Sequence, residues 1–553
     1  MMRQKGARSK TGCKTCRIRR VKCDEARPVC NRCSSTGRKC DGYEVFSAGI
    51  AKRILIPRTY SSPAPCAAVG CFPHLSPAEA ESFVYFRDHT SQEAKGWFAS
   101  AIWQRLILPL AHRELAVMHA AVGVGAMHRS TRGQSPSLRL PGCMEPHHSF
   151  ALAQYVKAIR QLRERLDRFE HDRQNPEIAL VACLLFVCLE MLQGNRLGVL
   201  VHLQNGLRVL ASMPSQVRRM DNGEHQCLLV TRERPTGVEQ ITEILVQLDV
   251  DSTAFGERAP AFRIASALDS PGPGRLLPSR FGDLLEARHL LGCLTNRAHH
   301  IRGNLLSLSG QFCQDSPRDA AWRCCMEFAG IRMLRPSQHA ALFANMRTLE
   351  RDLTHWLDAF QHMTQSSSED TQSCTFLEIQ FHSVFLQLTT CHNDRETYCD
   401  RFASTFQRIV DLCSLLIDDT ARSTGPTFVL DSGLIPSLYI TAIKCRQPEI
   451  RHRASSLLSR YPCQEGMWEP ALMGHFVHEV SRLEEEAARS ATGQGASTGM
   501  RFEGVPEAAR FCVVILAVTE RVGEGRLVCA RYLHETTGEL EITEHLIPVP
   551  LTE

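Results

Sequence analysis

The sequence predicts a mainly α-helical protein: a small cysteine cluster near the N-terminal end, a linker, a large all-helical body and a small C-terminal β hairpin or sheet. Three observations carry this. Six cysteines between residues 13 and 40 form two copies of C-x2-C-x6-C, apolar residues recur at helical spacing from about 76 to 490, and short apolar runs separated by glycine follow. The 553 residues, 43% of them hydrophobic, suffice for a body of one or two domains beyond the cluster.

Residues 1–12 read as a basic, polar tail, suited to phosphate contact or to part of an import signal. Its first ten residues, MMRQKGARSK, have no apolar core, so a secretory signal and an extracellular disulfide framework are not expected. The cluster follows at Cys13, Cys16 and Cys23, then Cys30, Cys33 and Cys40, each second-copy cysteine 17 residues after its counterpart. Such spacing suits zinc, which takes four tetrahedral ligands and accepts two from one tight C-x2-C turn. Either one zinc binds and leaves two thiols idle, or two zincs share ligands. Two ions offer eight places to six cysteines, so two thiolates would bridge, one from each half of the repeat. Six thiolates and two divalent ions leave a charge of −2, which neighbouring Lys and Arg offset. A cross-braced protein-binding finger generally uses eight ligands over a longer span, and the spacing argues against it.

The run CKTCRIRRVKCDEARPVCNRCSSTGRKC resembles the binuclear zinc cluster of fungal transcription regulators, in all five spacings and in the basic run between the second and third cysteines. The resemblance implies that Cys13 and Cys30 bridge, that Cys16 and Cys23 complete one site, and that Cys33 and Cys40 complete the other. It also implies a short helix after each C-x2-C turn and a proline, Pro28, in the joining loop. By the same resemblance Arg19 and Arg20 match the positions that enter the major groove, where relatives favour a CGG triplet; Arg17 and Lys22 are separately assigned to phosphate, and the alternative is that all four are interchangeable phosphate contacts. Many relatives carry lysine where this chain has Arg20. Arginine suits base reading because its planar fork donates to O6 and N7 of one guanine.

Charge supports that placement. Residues 1–45 carry 13 Lys/Arg against 4 Asp/Glu, whereas the remaining residues carry 51 against 55, so basic character is confined to the cluster end. Aromatic residues, which stack on unpaired bases, are absent from Arg3 through Gly42, which favours duplex DNA over RNA. Within the cluster Arg17, Arg19, Arg20 and Lys22 follow Cys16, while Ser34, Ser35, Thr36 and Gly37 follow Cys33. The first half is therefore expected to face DNA and the second to support the metal core.

Residues 43–75 have linker composition, with Pro57, Pro63, Pro65 and Pro73 among Ser, Ala and Gly. No sustained heptad follows the cluster, so a homodimer, if formed, is expected through the helical body. Ser76-Pro77-Ala78-Glu79 reads as a capping box with proline at the first helical position. Apolar stripes follow at Leu152, Tyr155, Ile159, Leu162, Leu166 and Phe169, and at Leu342, Met346, Leu349, Leu353, Trp356 and Phe360. Neither runs past about three heptads, so packing within the body is expected rather than a dimer seam. Further helices are expected at 112–128, 178–192, 197–212, 376–391, 399–417, 434–445, 449–460 and 469–487. From about 213 to 280 the helical signal fades, and SPGPGRLLPSR marks a long, partly mobile insertion. Residues 491–553 are read as a C-terminal segment whose runs Phe511–Val518, Leu527–Leu533 and Leu540–Val549 form short strands.

Residues 76–490, notably AHRELAVMHAAVGVGAMH and SGLIPSLYITAIKCRQPEIRHRASSLL, resemble the helical regulatory domain of the same factors, which implies a non-catalytic body contacting transcription machinery or co-regulators. Enzyme motifs are missing: there is no H-E-x-x-H, phosphate loop or dinucleotide fingerprint. Gly495-Ala496-Ser497-Thr498-Gly499 matches G-x-S-x-G in letters only, since a polar run precedes it and no strand does. His112, His119, His128, the pair His147-His148 and Cys391-His392 lack a ligand pattern and read as structural. The longest apolar run, Ile178 to Leu189, is too short to span a bilayer, and the other 18 cysteines read as reduced, mostly buried small hydrophobes. The expectation is a nuclear, zinc-dependent, sequence-specific DNA-binding regulator of RNA polymerase II transcription, and control of a metabolic or secondary-metabolite gene cluster is common among the factors it resembles. A zinc-binding interaction module or an enzyme accessory protein without duplex specificity is the alternative.

Overall fold

The computed structural model describes residues 13–40 (apart from 14, 17–18, 20, 22, 25, 27–28 and 38), 74–98, 102–132, 146–168, 176–213, 217–219, 226–229, 237–255, 259–265, 277–310, 320–365, 371–393, 395–422, 427–492, 505–518, 524–533 and 539–548. These fall into two compact units, residues 1–68 and 69–553. The basic tail, most of the linker, Phe169 and the Gly495–Gly499 stretch lie outside the described residues.

The larger unit is helical, as the apolar periodicity predicts. Its first helix, Pro77–Tyr85, starts with the expected capping box: Ser76 Oγ accepts from the Glu79 N–H, and Glu79 Oε2 accepts from the Ser76 N–H at 2.9 Å. The Glu79 carboxylate also accepts from Gln154 at 2.8 Å and Lys157 at 2.7 Å, tying this helix to helix Pro146–Arg168. Helix Leu115–Thr131 crosses close by. A Cβ at Gly125 would lie 2.4 Å from the Ser82 carbonyl oxygen, so only glycine allows that approach.

Two cores result. Phe83, Phe86, Trp103, Met127, Leu184, Leu189 and Leu245 fill the first. Helices Leu284–Ser309, Ala340–Thr364, Thr371–Thr390, Ala403–Arg422, Leu434–Lys444, Pro448–Arg460 and Pro470–Thr492 enclose the second, around Leu294, Trp356, Phe381, Phe406, Leu438 and Phe476. A parallel pair of two-residue strands, β4 (Phe428–Val429) and β5 (Gln464–Glu465), lies between them. Successive strand residues point opposite ways, so Phe428 enters the first core and Val429 the second. The segment around β4 is held from both sides: Thr427 donates to Glu93 and lies 2.9 Å from His128, Ser432 donates to Asp251, Arg288 donates to Asp431, and Gln380 donates to the Ser432 carbonyl.

The stripe from Leu342 to Phe360 lies in the second core as expected. The stripe on helix Pro146–Arg168 is rotated: Ala151, Gln154 and Ala158 are buried, while Ile159 and Leu166 are 41% and 57% exposed. Where the helical signal fades, the structure contains helix Gly237–Ser252 and a three-stranded sheet of β1 (Val217–Arg219), β2 (Gln226–Leu229) and β3 (Arg263–Ala265). Ile241, Leu245 and Leu248 form the buried stripe of that helix. Helices Leu284–Ser309 and Ala320–Gly330 also escape the periodicity reading. On the first, buried Asn296, Arg297 and His300 interrupt the apolar face, because they bond to Phe262, Ile264 and Asp352 rather than to solvent.

The C-terminal runs form an antiparallel sheet, β6 (Val513–Val518), β7 (Glu524–Tyr532) and β8 (Leu540–Pro548), in that order. Leu527 and Cys529 of β7 enter the second core, while Val528 and Ala530 pack with Cys325 and Ala329 of helix Ala320–Gly330. Beside the sheet lies a buried ion network. Arg446 donates to Glu396 and Glu484, each at 2.8 Å, and to the Phe511 carbonyl. Arg451 donates to Glu484, Lys444 to Glu396 and to the Cys512 carbonyl, and Arg332 pairs with Glu396. No helix among the described residues is long and apolar enough to cross a membrane.

A candidate metal centre built from six cysteines

In the small unit each copy of the repeat opens with the same local bond. The Cys16 N–H donates to Cys13 Sγ at 3.4 Å, and the Cys33 N–H donates to Cys30 Sγ at 3.3 Å, so the C-x2-C step closes a turn around its leading sulfur. The Cys13 N–H donates to Cys23 Sγ at 3.4 Å. Cys13, Cys16, Cys23, Cys30 and Cys33 are buried, and Cys40 is half-buried.

The sulfurs fall into two overlapping groups of four, Cys13, Cys16, Cys23 and Cys30, and Cys13, Cys30, Cys33 and Cys40. Within each group all ligand atoms lie within 4.8 Å of one another. The two groups have Cys13 and Cys30 in common, the pair that the resemblance implies as bridging. Sγ–Sγ distances are 3.5 Å for Cys13–Cys30, 3.8 Å for Cys13–Cys33, and 3.7 Å for both Cys16–Cys30 and Cys16–Cys33. A disulfide would bring the sulfurs to about 2.0 Å. Four thiolates at about 2.3 Å from one zinc stand about 3.8 Å apart along a tetrahedral edge, so the donor set and its spacing fit that ion. Burial raises the Cys13 and Cys16 thiols above their ordinary value. A cation that displaces their protons is the natural counterpart of such packing.

Three polar contacts outside the sulfurs join the two halves. The Asp24 carboxylate accepts from the Asn31 and Arg32 N–H groups at 3.0 and 3.1 Å, capping the short helix Asn31–Ser34 of the second half. Desolvation works against its charge, but these N–H groups prevail and hold the carboxyl below its ordinary range. Arg19 Nη1 donates to Thr36 Oγ1 at 3.3 Å, and Thr15 Oγ1 donates to the Lys39 carbonyl at 3.4 Å. Of the four basic residues assigned to DNA, only Arg19 is described. Arg17, Arg20 and Lys22 lie outside the described residues, as does Pro28. Motif reading missed Asp24 and Thr36. The available signals were an acid directly after Cys23 and a hydroxyl 17 residues after Arg19.

In the body the candidate histidines have structural surroundings. His119 Nδ1 lies 2.7 Å from Gln154 Oε1, His128 sits between Thr90 and Thr427, and His112 packs edge-on to Phe83. Among the described residues the only groups of cysteine, histidine and carboxylate close enough to share an ion are the two cysteine sets. The described cysteines of the body form no disulfide, and most are buried.

Two family descriptions match the chain: "Fungal Zn(2)-Cys(6) binuclear cluster domain" over residues 11–48 and "Fungal specific transcription factor domain" over residues 84–477. Over 96% of its length the chain is 26% identical to the aspercryptin biosynthesis cluster-specific transcription regulator atnN of Emericella nidulans, 94% of which is covered. It is 28% identical to transcription regulator lscL of Purpureocillium lilacinum over 35% of this chain and 47% of that protein. A short stretch, 6% of this chain and 7% of the relative, is 61% identical to transcriptional regulatory protein moc3 of Schizosaccharomyces pombe. No solved structure matches.

Proposed function

Because the chain belongs to the fungal-specific transcription factor family and carries a binuclear zinc-cluster domain at its N-terminal end, we propose that this transcription regulator binds duplex DNA in a sequence-specific, zinc-dependent manner and acts on RNA polymerase II transcription in the nucleus. The observation that carries this is the pair of sulfur tetrads with Cys13 and Cys30 in common, directly joined to the basic run 17–22. In this reading Cys13, Cys16, Cys23, Cys30, Cys33 and Cys40 hold two zinc ions. Zinc bound by four protein ligands is a closed structural centre that cross-links chain and does no redox chemistry.

The basic run between Cys16 and Cys23 is tied at both ends to the metal core, so its side chains lose less freedom on docking than they would on an open loop. Arg20 is assigned to a guanine of a CGG triplet through its two-pronged fork, and Arg17 and Lys22 to phosphate. Arg19 belongs to the same run and is taken further below. The helical body offers surfaces for co-regulators or the transcription machinery, and a homodimer would form through it. Kinship with a regulator named for one biosynthesis cluster supports control of a metabolic gene cluster here.

The test is titration of the zinc-loaded full-length chain on duplexes with and without CGG, at two salt concentrations, before and after chelation. Preference for CGG that disappears with the metal is expected. Equal affinity for both duplexes would replace this reading with a zinc-dependent interaction module lacking duplex specificity. Genome-wide occupancy with a deletion transcriptome would then identify the targets.

A further inference from the structure

Three contacts in the cysteine module join residues 17 positions apart, which is the period of the repeat itself. Cys13 meets Cys30 at 3.5 Å, Cys16 meets Cys33 at 3.7 Å, and Arg19 meets Thr36 at 3.3 Å. Contacts between equivalent residues of two copies fall where the copies face each other across a local two-fold relation. The pairs also step by three residues along each copy. The first two pairs are sulfur–sulfur contacts. The third adds a guanidinium and a hydroxyl to the series.

Thr36 is held to receive that guanidinium. Its hydroxyl proton is directed at the Arg32 carbonyl at 2.9 Å or the Cys33 carbonyl at 3.1 Å, which leaves the oxygen lone pairs for Arg19 Nη1. Arg19 is half-buried, whereas Thr36 and Arg32 are exposed. An arginine that reads guanine must turn two N–H groups outward in one plane, and Arg19 has one terminal nitrogen committed to the opposite half of its own module.

We infer that Arg19 is a positioning residue rather than a base reader: a strut that fixes the angle between the two halves and so sets how the neighbouring Arg20 is presented. This rests on the DNA-binding reading above and divides its labour. Arg20 carries sequence discrimination, and Arg19 with Thr36 carries orientation.

A double-mutant cycle on the zinc-loaded full-length chain tests it, with Arg19→Ala, Thr36→Val, the double variant, and Thr36→Ser as the conservative control. Arg19→Ala and Thr36→Val should each weaken CGG binding by about three- to tenfold, the range of a single net hydrogen bond. Mismatched duplexes, which give Arg20 no guanine to read, should weaken less, so both variants lower the discrimination ratio by the same factor. The double variant should lose no more than either single one, and Thr36→Ser should bind like the wild type. Additive losses would overturn the strut, as would a flattened discrimination ratio for Arg19→Ala beside a silent Thr36→Val. The same four chains are to be followed for zinc loss to excess EDTA, which needs no DNA. If the wild type shows no preference for CGG, the DNA reading falls by itself. The strut is then judged on whether the two substitutions accelerate zinc loss non-additively, and additive or absent acceleration overturns it.

Discussion

Replacing Cys13 or Cys30 with serine should empty both sulfur tetrads, because each residue belongs to both, whereas Cys40→Ser touches only one. Elemental analysis of the purified full-length chain should find two zinc ions in the wild type, about one in Cys40→Ser and fewer in either bridging variant. A wild-type value of one would sink the shared-ligand arrangement. For DNA, Arg20→Ala should cost about 1–3 kcal/mol at a CGG site and flatten discrimination, while Lys22→Ala should weaken all duplexes alike and reduce the salt slope by about one ion. Equal losses on every sequence for Arg20→Ala would assign it to phosphate instead. At this scale the six cysteines were legible because metal ligation imposes a spacing that survives in one dimension. Asp24 and Thr36 were not, because an N-terminal cap and a cross-half contact depend on where distant backbone returns.

Most helices were read from their apolar period even where they bury a polar residue, as Pro146–Arg168 does with Gln154 and Pro470–Thr492 with Glu484, but Leu284–Ser309 was not. Helix Leu284–Ser309 shows the reason: Asn296 and His300 hydrogen-bond the Phe262 segment and Arg297 pairs with Asp352, so its core face is partly polar. The same kind of buried pairing fixes the C-terminal sheet to the body. Glu484 accepts from Arg446, Arg451 and the Phe511 N–H, all at 2.8 Å. Glu484→Ala should cost about 3–5 kcal/mol, since it takes the carboxylate partner from buried Arg451 and one of the two from buried Arg446, which keeps Glu396. Denaturant unfolding followed by tryptophan fluorescence would measure this, and a loss below about 1 kcal/mol would show that the network adds little. Gly125→Ala should also destabilise, by about 1–3 kcal/mol, because its Cβ would meet backbone and not a yielding side chain. An unchanged thermal midpoint would contradict the close helix crossing.

For the whole molecule, buried and half-buried carboxyls of two kinds set the response to pH. Burial pulls Glu79, Glu93 and Glu396 upward but is outweighed, by Lys157 at Glu79, by His128 and Thr427 at Glu93, and by Lys444, Arg446 and Arg332 at Glu396, so each is held at about 2. Their stabilisation is present above the unfolded value, near 4.3, and is lost as pH falls toward 2. Burial pushes Asp251 and Glu465 up to about 7 against the donors that face them. The folded state there keeps protons that the unfolded chain releases, so their contribution is present at low pH and declines as pH rises from about 4 to 7. Body stability should therefore peak near pH 4–5 as far as these five groups decide it. The five tryptophans all lie beyond residue 90, so their fluorescence reports the body apart from the zinc module. Glu465→Gln should flatten the decline between pH 5 and 7, and an unaltered profile would remove Glu465 from this account. At this scale the large features were legible: a basic metal module, a helical body and a terminal sheet. The division of the body into two cores was not, because it turns on two adjacent residues, Phe428 and Val429, that enter different cores. That alternation has a genetic consequence. A reading frame cut short before Thr427 deprives both cores of a wall at once, so a truncated allele should not yield half a regulator. Its product would be an intact metal module trailing a body that quality control removes, and nonsense alleles spread across some 350 codons should share one null phenotype about equally.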